Sequence, residues 1–142
     1  MTEIVLERKS GDFGFEATDA GGHTIKVDAG KNFGGGGFGV SPMQSLLMAL
    51  GGCSGIDVVS ILNKQRQTIS GFKMKIGGER DAGKEPSLWK MINVVFELSG
   101  EIDLMKAKRA CALSMEKYCS VAETLRRAGC TISWQVKVNG LS

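Results

Sequence analysis

A single apolar segment, SPMQSLLMALGGCSGIDVVSIL beginning at Ser41, constrains this chain more than any other feature. Ser41-Pro42 reads as a helix start: a hydroxyl available to the orphan amides, then a proline at the first helical position, where no donor is missed. The spacing predicts a helix from there to about Gln67. Met43, Leu46, Leu50 and Cys53 recur at three- and four-residue steps and share one face, and Ile56, Val59 and Leu62 continue it with a small drift. About 26 residues rising 1.5 Å each span ~39 Å. A compact chain of 142 residues has a diameter of about 37 Å. The helix must therefore cross the domain or leave it. A surface this apolar is not stable in water, so a sheet wraps it or a second subunit covers it. Gly51-Gly52 inside a helix cost about 1 kcal/mol each relative to alanine, which indicates a close backbone approach or a kink just before Cys53.

The flanking segments change period. From Glu3 to about Ala29, Ile4, Leu6, Phe13, Phe15, Ala17, Ile25 and Val27 mark three short strands, with Gly11-Asp12 and Gly21-Gly22 as turns. FGGGGFG, Phe33 to Gly39, breaks all regularity and predicts a mobile loop, a flexible lid rather than an anion cradle, since no Gly-Lys-Ser/Thr completes a phosphate loop. Beyond the helix, residues 71–80 and 91–98 alternate as two strands around a DAGKEP hairpin loop. Asp103 caps a second helix through Met115, and a break follows at Tyr118-Cys119. Ser120 and Glu123 have the spacing of a capping box for a short helix that Gly129 ends as a left-handed stop. Residues 131–138 supply a last strand. The order βββα-ββ-αα-β is an α+β fold, a single domain over residues 1–142 with its long central helix packed against antiparallel sheets.

Composition narrows the function. With 42% apolar and 23% charged residues the chain is globular, and a net charge of +3 spread over scattered lysines and arginines, with 6% aromatics, offers no nucleic-acid surface. Gln44, Ser45, Ser54 and Asp57 interrupt the apolar run and MTEIVLERK lacks a signal region, so a cytoplasmic protein with no membrane span is expected. Four cysteines in a reducing compartment serve chemistry, metal binding or packing. His23 is the only histidine and no C-x-x-C occurs, so neither a metal site nor a hydrolytic triad is expected. Cys119 stands at a helix N-terminus, where the partial positive charge lowers a thiol pKa. Cys53 sits mid-stripe, where burial raises it, and Asp57 one turn later opposes a thiolate if it faces the same way. Cys111 and Cys130 read as small core hydrophobes.

Two segments carry a resemblance. SPMQSLLMALGGCSGIDVVSIL is similar to the central-helix motif of the OsmC/Ohr family of osmotically inducible and organic hydroperoxide resistance proteins, in which a proline precedes a small-residue stretch bearing the reactive cysteine. KYCSVAETLRRAG resembles the second family motif, a cysteine followed by a short helix. The resemblance implies an intertwined homodimer with its two central helices buried between sheets. It also implies a thiol-dependent peroxidase of the stress response: Cys53 attacks an organic hydroperoxide and becomes sulfenic acid, Cys119 resolves it as a disulfide, and an external dithiol or small-thiol reductant resets the pair, with no metal or other cofactor. The chain departs from the family pattern at Met43, which stands where the family places a glutamate. Gln44 beside it can hydrogen-bond but cannot hold an arginine by charge. The family's arginine comes from the N-terminal hairpin, where Arg8 is the nearest candidate. A second class of function uses the same cleft without catalysis, as a dimeric module that binds an apolar small molecule or a thiol partner.

Overall fold

The computed structural model describes all 142 residues. The elements are β1 (Val5–Ser10), β2 (Gly14–Thr18), β3 (Thr24–Val27), α1 (Pro42–Lys64), β4 (Thr68–Arg80), β5 (Trp89–Glu101), α2 (Leu104–Leu113), α3 (Ser120–Arg127) and β6 (Thr131–Val138). This is the expected α+β order. By its contacts the chain forms two compact units, Met1–Leu46 and Leu47–Ser142, the boundary falling within α1.

In the first unit β1, β2 and β3 form an antiparallel meander. Its turns use glycine where the backbone is left-handed, at Gly11 (φ 56°) and Gly22 (φ 87°). The glycine-rich segment is not the free lid expected from its composition. Buried Asp28 gathers it: its carboxylate accepts from the amides of Ala29 (2.7 Å), Gly36 (3.1 Å) and Phe38 (3.0 Å). These bonds hold the Asp28 carboxyl below its ordinary pKa, with the Phe38 amide as the largest cause. The amides that might have cradled an external anion are thus occupied by the chain's own carboxylate. Gly35 is obligatory on steric grounds, because a Cβ there would lie 1.7 Å from the Ala29 carbonyl oxygen.

In the second unit β5 is the central strand, antiparallel to β4 and parallel to β6. The parallel edge corrects the expectation of wholly antiparallel sheets. Its cause is the α2–α3 connection, long enough to carry the chain back to the start of β5, which a tight turn cannot do. Alternation along β5 puts Ile92, Val94, Phe96 and Leu98 on the buried face, and these meet Leu50, Val58 and Leu62 of α1 together with Ala107, Cys111 and Met115. Close approach accounts for one of the two paired helix glycines. A Cβ on Gly51 would lie 2.6 Å from Ile76 Cδ1, and one on Gly55, a turn later, 2.8 Å from Met74 Cε, whereas Gly52 meets nothing within 4 Å.

Helix α1 ends three residues earlier than its apolar pattern suggested. Arg66 adopts a left-handed backbone (φ 59°), and the Gln67 amide donates back to the Leu62 carbonyl at 3.0 Å, closing the last turn. By length and composition alone α1 could cross a bilayer, which the interrupting polar residues had argued against. Core helices of folded domains share that property, and Leu50, Val58 and Leu62 here are fully buried in the chain's own core.

Candidate functional site

The second helix does not reach Met115 as a regular helix. After Leu113 the chain widens into one π-turn, Ser114–Tyr118, in which the Cys119 amide donates to the Ser114 carbonyl at 2.8 Å. Such widened turns often accompany functional positions. This one does two things. It turns the buried Ser114 hydroxyl toward α1, where it donates to Asp57 Oδ2 at 2.8 Å, and it delivers Cys119 to the start of α3. Cys119 is itself the N-cap: its Sγ accepts from the Ala122 amide at 3.4 Å. The expected capping box therefore does not form. Glu123 instead pairs with Arg126 and Arg127, each at 3.4 Å.

On α1, Cys53 and Asp57 are one turn apart and face the same way. The two sulfurs and an Asp57 carboxylate oxygen all lie within 4.8 Å of one another. The structure thus brings together the two cysteines singled out from sequence, 66 positions apart, and adds a carboxylate beside them. All four cysteines are free thiols. Cys53 is half-buried, while Cys119 is only 2% exposed. Asp57 also opens onto a cavity of about 500 Å³ whose wall includes Ile61, Lys64, Gln65, Leu113 and Tyr118.

The electrostatics reverse one expectation. Burial pushes the Cys119 thiol up from its ordinary 9.0 to about 11; the Ala122 amide pulls it down, and the hydrogen bond and charge of Cys53 push it further up. The helix N-terminus acts in the expected direction, but desolvation outweighs it. Cys119 is therefore held as a neutral thiol. Cys111, fully buried in α2, is driven by desolvation alone to about 12, and Cys130 is raised by burial as well, in keeping with packing roles for both.

These shifts carry a stability prediction. The folded chain keeps protons on Cys111 and Cys119 that the unfolded chain gives up above the ordinary thiol value of 9.0. Their contribution is whole below that pH and is lost as pH rises toward about 11 and about 12. Thermal midpoints measured across this range should fall, and Cys111→Ala should flatten the slope.

The other two residues named from sequence lie in the first unit. Arg8 is exposed on β1, opposite Phe15, and Gln44 is exposed on the first turn of α1. Sequence reasoning identified Asp57 only as an opponent of the Cys53 thiolate and missed Ser114. The one available signal for Ser114 was a polar residue within the apolar run of the second helix.

Fold and site together define an α+β protein with a paired-thiol centre between its long helix and the cap of its last helix. A family model described as OsmC-like protein matches residues 34–135, so the chain belongs to the OsmC-like family. It is 45% identical over 116 residues to Protein YhfA of Escherichia coli strain K12, covering 80% of this chain and 82% of that protein. A hypothetical protein from Aquifex aeolicus VF5 superposes with a TM-score of 0.80 at 31% identity, covering 98% of each chain. An organic hydroperoxide resistance protein OsmC from Legionella pneumophila, at 16% identity, shares the fold with a TM-score of 0.73 over 97% of each chain.

Proposed function

We propose that this protein is a thiol-dependent peroxidase for organic hydroperoxides, working in a reducing, cytoplasmic compartment. The observation that carries the reading is the approach of Cys53 and Cys119 sulfurs to within 4.8 Å. Roles follow from burial and charge. Cys119 is enclosed and held protonated, whereas Cys53 is the more accessible sulfur and serves as nucleophile. Its thiolate attacks the distal oxygen of ROOH, the O–O bond breaks, and the alkoxide leaves to take up a proton as ROH. Cys53 is then a sulfenic acid. The Cys119 sulfur attacks it, water departs with the Cys119 proton, and a disulfide remains. An external dithiol reduces that disulfide by exchange, with no bound cofactor in the cycle. The Legionella protein that shares this fold is named for organic hydroperoxide resistance, and the present reading assigns that chemistry to this chain on the strength of its own paired thiols. Met43, in place of the family's glutamate, favours the alternative of a binding module with little turnover.

Reduced protein given one equivalent of cumene hydroperoxide should consume it and lose two of its four thiols. Retention of all four with the hydroperoxide unconsumed would favour the binding module.

We also propose a homodimer. Met48 and Ile56, 54% and 73% exposed, leave an apolar strip on α1 that a second copy would cover. Ile56→Lys would bury a charge in that interface. Sedimentation should show the wild type as a dimer and the variant as a folded monomer; a variant that remains dimeric would remove α1 from the interface.

A further inference from the structure

We propose that Cys53, Cys119 and Asp57 also form a binding site for a thiophilic divalent cation of the zinc class. The inference concerns the same atoms as the peroxidase reading but does not rest on it, since it requires no oxidation. Three donors, two sulfurs and one carboxylate oxygen, lie within 4.8 Å of one another. Around tetrahedral zinc, with Zn–S near 2.3 Å, the sulfurs would stand about 3.8 Å apart. Closing the present cluster to that size takes small side-chain adjustments and no rearrangement of α1 or α3.

The donor set selects the ion. Two thiolates favour zinc and softer metals, whereas magnesium and calcium require oxygen ligands throughout. Two of the donors are already oriented from behind. The Ser114 hydroxyl holds Asp57 Oδ2 at 2.8 Å and the Ala122 amide holds Cys119 Sγ at 3.4 Å, the kind of outer contact that fixes metal ligands. Of the three donors only Asp57 borders the cavity of about 500 Å³, and Lys64 in the same wall offers a counter-charge to a site with two thiolates and a carboxylate. Binding exchanges protons for metal: each thiol gives up its proton as its sulfur bonds to the ion, nothing is oxidised or reduced, and the two protons pass to solvent. A pair so occupied cannot close as a disulfide.

The test is an optical titration of the fully reduced chain with Co²⁺, followed by displacement with Zn²⁺. One Co²⁺ per chain should bind with sulfur-to-cobalt charge-transfer absorption, and Zn²⁺ should abolish that absorption. Cys53→Ser and Cys119→Ser should each lose the band, while Asp57→Asn should keep it and weaken binding by at least about tenfold, the least that loss of even an outer contact costs. An unchanged band in both serine variants, or no uptake of either metal, would overturn the site. If a serine variant fails to fold, the wild type decides by alkylation: saturating Zn²⁺ should protect Cys53 at least tenfold, and unprotected alkylation at Cys53 would overturn the proposal. Hydroperoxide consumption, measured metal-free, separates this result from the fate of the peroxidase reading.

Discussion

With Cys53 as the proposed nucleophile, Cys53→Ser should lower the rate of alkyl hydroperoxide consumption by roughly a thousandfold or more, the scale on which removal of a covalent nucleophile acts. Cys119→Ser should give a different defect. It should retain the first attack, so that one equivalent of hydroperoxide is consumed, and leave Cys53 as a sulfenic acid that dimedone traps. The contrast follows from placement. Cys53 is half-buried on α1 and is the more accessible sulfur, while Cys119 is enclosed as the N-cap of α3 with Cys53 and Asp57 within 4.8 Å of its sulfur. Stopped-flow traces with substoichiometric hydroperoxide check both statements. Equal rates in wild type and Cys53→Ser would remove Cys53 from the reaction, and failure to trap sulfenic acid in Cys119→Ser would remove the resolving step.

Phe96→Ala has the second large effect, on stability. Phe96 is fully buried at the middle of the central strand, opposite Met74 on β4 and Val136 on β6, with the Phe72 ring centroid 6.4 Å away. The backbone cannot move in to close the space, because β5 is fixed by hydrogen bonds on both edges. Truncation should cost about 3–5 kcal/mol, a large fraction of the ~5–15 kcal/mol that holds a domain together. Urea unfolding should show the midpoint falling without a change in slope. A loss below ~1 kcal/mol would mean that the core does not centre on this strand.

Much of the architecture was legible because it rests on periodicity. The two-residue recurrence of Ile92, Val94, Phe96 and Leu98 is the buried face of β5, and Leu50 and Leu62 of the stripe read on α1 are buried with it, but Val58 is buried where Val59 was expected and Leu46 and Ile56 of the same stripe are exposed. What escaped depends on contacts distant in sequence or on a balance of opposing effects. The glycine-rich segment reads as mobile from composition, yet Asp28, eight and ten positions before its amide partners Gly36 and Phe38, organises it. The helix N-terminus does act on Cys119, but burial, which no local pattern reports, decides the sign of its shift. Ser114 meets Asp57 across 57 positions, through a π-turn that has no helical period to betray it. The parallel edge was within reach: a connection containing two helices between residues 101 and 131 is too long for a hairpin and leads to a crossover.

The most direct test of the paired-thiol centre is a non-reducing peptide map of the protein after one equivalent of cumene hydroperoxide. The account predicts a single new crosslink, between the peptides that carry Cys53 and Cys119, with Cys111 and Cys130 still free. A crosslink through either of those two, or four alkylatable thiols after the hydroperoxide is spent, would contradict it.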